Sequence, residues 1–175
     1  MPKNVILVDE TDKAIGVMEK IQAHKEPDPR LHRAFSIFIF NTDGKILLQQ
    51  RALNKYHFGG LWSNACCSHP RPGSELEKDV HDRLKEEMGF DCELKELFVF
   101  TYKAPFDNGL TEWEVDHVFK GTYDGQVEPD PEEVENYKWV TGEELVQDIK
   151  DHPEIYTPWF KIALDRVLDK LGYTN

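Results

Sequence analysis

The longest apolar run in the chain, Ala34-Phe35-Ser36-Ile37-Phe38-Ile39-Phe40, is far shorter than a membrane span and has the length of a strand. It predicts a strand over residues 33–41. Asp43-Gly44 follows as a hairpin signal, and residues 45–51 form the returning strand. Upstream, residues 4–9 are short and apolar and predict a strand, with a turn at 10–13 and a return at 14–17. Residues 19–26 read as a short helix that Pro27 stops. A loop over 52–60 precedes an extended stretch, 61–67.

Helical spacing takes over at residues 74–88. Leu76, Val80, Leu84 and Met88 recur every four residues and make one apolar stripe. Ser74 and Glu77 have the spacing of a capping box, and Gly89 stands where a C-terminal cap glycine belongs. Residues 93–103 and 111–123 predict two strands around Asp107-Asn108-Gly109, and residues 137–140 a shorter one. Thr141 with Glu144 caps a further helix. Thr157-Pro158 opens the last helix and Gly172 ends it. Strands outnumber helices and the clearest hairpins are antiparallel. The class is therefore α+β, a mixed sheet with helices packed on it. With no repeat and no Gly/Ser linker, residues 1–175 read as one domain.

Composition narrows the function. Ten Phe, six Tyr and four Trp supply a core and exclude general disorder. Met1-Pro2-Lys3-Asn4 lacks a signal-peptide pattern, so a soluble, cytoplasmic protein is expected. The net charge of −12 argues against nucleic acid or an anionic membrane as partner. Three Cys make a disulfide framework improbable and point to reduced thiols.

Several residues are equipped for chemistry. On the strand over 111–123, Glu112, Glu114 and Asp116 share one face. Such a row is most often a solvated face, but three carboxylates in line repel unless a cation or water separates them. His32 lies just before the strongest strand, His24 on the short helix ahead of it and His69 two residues after Cys67; any one alone is more often structural, and no Cys-x-x-Cys or His-x-x-x-His pair marks a structural zinc site. Cys66 and Cys67 are adjacent on an extended segment, so one can pack while the other lines a site. Lys20, Arg30, Arg51, Lys55, Arg71 and Arg83 are either ordinary surface charge or the donors a diphosphate needs. Glu86 and Glu87 stand opposite the apolar stripe, as surface groups or as carboxylates for a divalent cation.

Taken in order, these residues resemble the type I isopentenyl-diphosphate isomerases, a branch of the Nudix superfamily, from Val5 to the last helix. The markers are Arg30-Leu31-His32-x-Ala34-Phe35-Ser36, Gln50-Arg51-Ala52, Leu61-Trp62-x-Asn64-x-Cys66-Cys67-Ser68-His69-Pro70, Glu86-Glu87-x-Gly89, Glu112-x-Glu114 and Thr157-Pro158-Trp159. The Nudix signature, Gly-x5-Glu-x7-Arg-Glu-φ-x-Glu-Glu-x-Gly-φ, keeps only its ending here. Ser68, Ser74, Asp82 and Arg83 fall where its first Gly, first Glu, Arg and next Glu belong. That degeneracy is typical of the isomerases and argues against nucleoside-diphosphate hydrolysis.

The resemblance implies a Nudix-like mixed sheet sandwiched by helices, with an N-terminal extension. It implies that His24, His32, His69, Glu112 and Glu114 hold one divalent ion, Zn²⁺, Mn²⁺ or Mg²⁺. A Mg²⁺ ion entering with the substrate diphosphate would use Glu87. Lys20, Arg51, Lys55 and Arg83 would hold the diphosphate, with a hydrogen bond from Ser68. Glu114, assisted by Tyr102, would protonate one face of the five-carbon substrate, and Cys67 would exchange the proton on the other. Trp159 would set its indole against the cation between them. Cys66 and Cys92 are left to packing, and Trp62 and Trp113 to either core or pocket wall. The expected partner is a small isoprenoid diphosphate, and the expected state a monomer. Lys20 and His24 lie within residues 1–26, which makes that segment a candidate lid closed by metal ligation. A Nudix hydrolase and a non-catalytic metal-binding domain are the competing readings. Neither needs Cys67, Glu114 and Trp159 together.

Overall fold

The computed structural model describes residues 3–55 and 57–173. Its organising element is strand β3 (His32–Phe40), buried on both faces as its unbroken apolar run requires. It follows β1 (Asn4–Val8), β2 (Ala14–Glu19) and the one-turn helix α1 (Lys20–His24). Then come β4 (Ile46–Arg51), β5 (Trp62–Asn64), β6 (Cys66–Ser68) and helix α2 (Leu76–Met88). The chain continues through β7 (Leu94–Pro105), β8 (Thr111–Thr122), β9 (Val134–Val140), α3 (Gly142–Asp151) and α4 (Pro158–Lys170).

β3 and β8 pair in parallel from His32 opposite Glu114 to Phe40 opposite Thr122. β7 and β8 form a long antiparallel hairpin, and β6 pairs with β3 at Phe35, Ser36 and Ile37. The Asp43-Gly44 turn forms as expected, but β3 and β4 share one pair, Phe40 with Ile46, before they diverge. β4 then pairs with β5 and β9. The sheet is therefore mixed. Alternation along β3 divides the core. Phe35, Ile37 and Ile39 pack with Val80, Leu84 and Met88 of α2. Phe38 and Phe40 pack with Phe160, Leu164 and Val167 of α4. Helices thus cover both faces, which is the expected sandwich. Among the described residues no helix is long and apolar enough to cross a membrane.

Local signals mostly act where they stand. Thr141 and Glu144 make a reciprocal capping box, and Pro158 opens α4. Gly89 has φ +76°, and a Cβ there would lie 2.1 Å from the Glu128 carbonyl oxygen, so this position requires glycine. The Ser74–Glu77 capping box does not form. The N-cap is Glu75, and Ser74 Oγ instead donates to Asp79 Oδ1 at 3.0 Å. Asp79 is fully buried and also accepts from the Arg71 backbone N–H at 2.7 Å, so it organises the whole turn before α2. A carboxylate one turn into the helix outcompetes the glutamate cap.

Candidate active site

One pocket opens on the α4 face of the sheet. Its walls come from α1 (Lys20, His24), β3 (Ala34, Phe35, Ser36), the end of β4 (Arg51) and β6 with the following residues (Cys67, Ser68, His69). β7 adds Tyr102, β8 adds Glu112 and Glu114, and α4 adds Trp159.

The carboxylate row on β8 is not a solvated face. Glu112, Glu114 and Asp116 are all buried and point inward from one side of the strand. Glu114 Oε1 faces three imidazoles, with Nε2 of His69 at 2.9 Å, His32 at 3.2 Å and His24 at 3.6 Å. The other ring nitrogen of His24 lies 2.6 Å from the Lys20 carbonyl oxygen, and that of His32 lies 2.7 Å from the Arg30 carbonyl oxygen. A carbonyl only accepts, so both Nδ1 atoms carry the proton and both Nε2 lone pairs turn toward Glu114. The ligand atoms of His24, His32, His69 and Glu114 all lie within 4.8 Å of one another. Acceptors converging on acceptors need a cation between them, and this donor set fits a divalent metal. Glu112 lies outside that four-group convergence, although it lines the same pocket.

Tyr102 links the two glutamates. Its hydroxyl lies 2.7 Å from Glu114 Oε2 and 2.8 Å from Glu112 Oε2. Burial and the Glu114 charge push the Glu112 carboxyl well above its usual range. Burial works the same way on Glu114, but the three imidazoles gathered at its Oε1 outweigh it and hold this carboxylate well below. Burial and the adjacent carboxylates raise the Tyr102 phenol strongly, so it remains a proton donor. His69 is pushed down to about 3, chiefly by burial.

Cys67 lies on the other side of β3, opposite Ser36. Its neighbour Cys66 turns into the α2 core, as adjacent strand positions require. Burial and then the Asp116 charge raise the Cys67 thiol, which holds it protonated. Trp159 closes the pocket with its ring against Phe58 and His57, at centroid distances of 5.4 and 5.9 Å. The Arg51 guanidinium lies 5.3 Å from the centroid of the same indole. His57, which the sequence reading did not single out, is held neutral by burial and by Arg51, with its titration pushed to about 3. Burial and Arg51 also lower Lys20, against the pull of Glu114.

Of the sequence-derived residues, Lys20, His24, Arg51, Cys67, Ser68, His69, Tyr102, Glu112, Glu114 and Trp159 meet on this pocket, and His32 stands directly behind it. Ser68 is buried, and its hydroxyl has no partner among the described residues. Lys55, Arg83 and Glu87 do not line the pocket. They form a separate network in which Lys55 pairs with Glu133 at 2.5 Å, and Arg83 with Glu87 at 2.5 Å and Glu86 at 2.6 Å. Gln49 Nε2 donates to Glu87 at 2.9 Å. Trp62 and Trp113 do not line the pocket: Trp62 is partly buried against the cluster that includes Tyr102 and Trp159, and Trp113 against Ile6, Val8, Leu31 and Val115.

Comparison with known proteins agrees with this architecture. The family described as NUDIX domain matches residues 30–160. A protein of Aromatoleum aromaticum named isopentenyl-diphosphate Delta-isomerase 2 is 49% identical over 168 residues, covering 96% of this chain and 88% of its own. A Pectobacterium atrosepticum protein named isopentenyl-diphosphate Delta-isomerase is 48% identical, covering 94% and 91%. Among solved structures, a protein from Deinococcus radiodurans has a TM-score of 0.77 at 19% identity, covering 93% of this chain and 98% of that one.

Proposed function

The chain belongs to the NUDIX family and, within it, to the isopentenyl-diphosphate Delta-isomerases, and from that premise we propose how its side chains divide the reaction. The enzyme interconverts isopentenyl and dimethylallyl diphosphate. A proton must reach the terminal carbon of an unactivated alkene, and another must leave the adjacent methylene. The intermediate is a tertiary carbocation. Such a reaction needs an acid, a proton acceptor on the opposite face, and a dry, cation-tolerant wall between them.

The observation that carries the assignment is the placing of Glu114 with Tyr102 on one side of β3 and Cys67 on the other, around one buried pocket. Glu114 delivers the proton through Oε2, the oxygen turned to Tyr102 rather than to the imidazoles. Tyr102 holds that oxygen through its hydroxyl, and as its proton moves to Glu114 it takes the replacement from the Glu112 carboxyl on its other side. Cys67 takes the second proton as a thiolate, its own proton having passed through Ser36 toward Asp116. Trp159 offers its ring face to the cation, a contact worth about 2 kcal/mol when desolvated. Lys20 and Arg51 take the diphosphate, and the unpartnered Ser68 hydroxyl is available to the substrate. Held by that end, the hydrocarbon meets acid and acceptor in a fixed order.

His24, His32, His69 and Glu114, with Glu112 beside them, would hold a divalent ion, Mn²⁺, Zn²⁺ or Mg²⁺. Bound there, such an ion would draw charge from the Glu114 carboxyl, so that a proton on Oε2 would be given up more readily. Glu87 is the proposed ligand of a Mg²⁺ that arrives with the diphosphate. Lys55 and Arg83 reach the diphosphate only by leaving Glu133 and Glu87. The protein acts as a single-domain cytoplasmic monomer, independently of nucleic acid and membrane. Proton NMR in D₂O with isopentenyl diphosphate and Mg²⁺ tests the reading. Dimethylallyl diphosphate carrying deuterium is expected, and release of phosphate without it would overturn the assignment.

A further inference from the structure

Behind the pocket wall a chain of hydrogen bonds joins two of the groups assigned to the reaction through residues that have no assigned part in it. It begins at the Trp159 indole, whose Nε1–H donates to Ser63 Oγ at 3.1 Å. Thr157 Oγ1 donates to the same oxygen at 3.0 Å. Ser63 sends its own proton to Asn64 Oδ1 at 3.1 Å. The Cys67 thiol donates to that same Oδ1 at 3.0 Å. The two N–H groups of Asn64 are taken by the carbonyls of Ile37 at 3.0 Å and Cys66 at 2.9 Å.

The proton positions in this chain are forced. Carbonyls only accept, so the Asn64 amide must present its NH₂ to Ile37 and Cys66 and its oxygen to Ser63 and Cys67. An indole N–H only donates, so Ser63 must accept from Trp159 and give its single proton onward. Ser36 closes the far side: its Oγ lies 3.4 Å from the Cys67 sulfur and its proton goes to Asp116 at 2.8 Å. Ser63 and Asn64 are 3% and 1% exposed, so water does not compete for these bonds.

We propose that Ser63 and Asn64 are positioning residues that bridge the Trp159 indole to the Cys67 thiol and hold the two in one mutual geometry. The proposal rests on the reading that both groups face the substrate. Trp159 and Cys67 come from different elements, α4 and β6, and β3 alone does not fix one against the other. The attraction of a cation to a ring depends on the ring's tilt, and proton exchange at sulfur depends on the thiol rotamer. One oxygen, Asn64 Oδ1, sets the rotamer directly and the tilt through Ser63.

The test is Ser63→Ala, with folding checked by thermal unfolding. We expect kcat to fall about tenfold with KM within about twofold, as for loss of one buried hydrogen bond that matters in the transition state. Two readings on substrate-free protein should move with it. The Trp159 emission, isolated by difference against Trp159→Phe, should shift. The rate of Cys67 alkylation by iodoacetamide, followed by mass spectrometry, should change. Ser63→Thr restores the hydroxyl and should restore all three. Trp159→Phe removes the donor from the other end and should itself alter Cys67 alkylation. In that background, Ser63→Ala should lose less kcat than in the wild type. An unchanged alkylation rate in both Ser63→Ala and Trp159→Phe overturns the bridge, as does an equal kcat loss in both backgrounds. Wild-type turnover by Cys67→Ser would instead overturn the role of Cys67, and the substrate-free readings would still decide the bridge.

Discussion

Imidazoles aimed at one carboxylate oxygen are held there against their own preference, and for His24 and His32 the hold comes from Nδ1, bonded to the Lys20 and Arg30 carbonyls. Burial sets the acid–base character of the site. Glu114→Gln removes a proton that the neutral amide cannot supply, and Cys67→Ser replaces the thiol by a poorer proton carrier. Each should lower kcat by about 10²–10⁴-fold with little change in KM, measured by the deuterium assay. Trp159→Phe keeps a π face and should lose much less rate than Trp159→Ala; equal losses would remove the cation from the account of this wall. The histidines also predict a pH dependence of stability. His57 and His69 titrate near 3 in the folded protein, below the ordinary value near 6.5. Between these limits the unfolded chain binds more protons, so stability is complete above about 6.5 and is lost as pH falls toward 3. Without metal, the urea midpoint should drop from pH 7 to pH 5, and His57→Gln should drop less. An equal drop in the variant would mean that His57 contributes nothing to it.

At the scale of elements, short-range signals carried most of the information. The Asp43-Gly44 turn, the α2 stripe, the Thr141 capping box and Gly89 each act within one turn of the chain and were legible. Gly89→Ala combines a left-handed φ with a collision against the Glu128 carbonyl and should destabilise by at least about 2 kcal/mol in urea unfolding. A loss under about 0.5 kcal/mol would show that this loop gives way freely. The missed features depend on contacts distant in sequence. Ser74 and Glu77 have capping-box spacing, but Asp79 draws Ser74 away together with Arg71. The basic residues Lys20, Arg51, Lys55 and Arg83 look equivalent along the chain, yet only the first two reach the pocket wall, because Glu133 and Glu87 hold the others. Periodicity could place Glu112, Glu114 and Asp116 on one face but could not say that it is buried, since that follows from His32, His69, Tyr102 and Ser36, distant in sequence, packing against them. Asn64 stands among the markers of the resemblance with no role attached, and Ser63 is only a polar residue beside it, because their bonds run to Cys67 and Trp159 on other elements.

The whole molecule gathers around one point. The four converging ligands come from α1, β3, the segment after β6, and β8. A bound ion would therefore tie the N-terminal hairpin and α1 to the main sheet. The hairpin is already joined to β3 by the Leu7–His32 pair and the Asp12–Arg33 ion pair at 2.8 Å, whereas around α1 the Glu26 N–H donates to the Gly109 carbonyl at 3.1 Å and the Arg30 N–H to the Ala23 carbonyl at 2.8 Å. Metal at 100 times its dissociation constant adds about 2.7 kcal/mol to stability. In a chain of this size that corresponds to roughly 5–10 °C in Tm. Adding Mn²⁺ or Zn²⁺ to chelated protein should produce a rise of that order, and His24→Ala should reduce it sharply, because it removes the only ligand that α1 supplies. Hydrogen exchange locates the effect. Chelation should speed exchange across residues 20–26 and leave β3 protected, since β3 keeps its partners β6 and β8 with or without an ion. Exchange that rises equally in β3 would make the ion a determinant of the entire fold. A Tm indifferent to both chelator and metal would refute the four-group site itself.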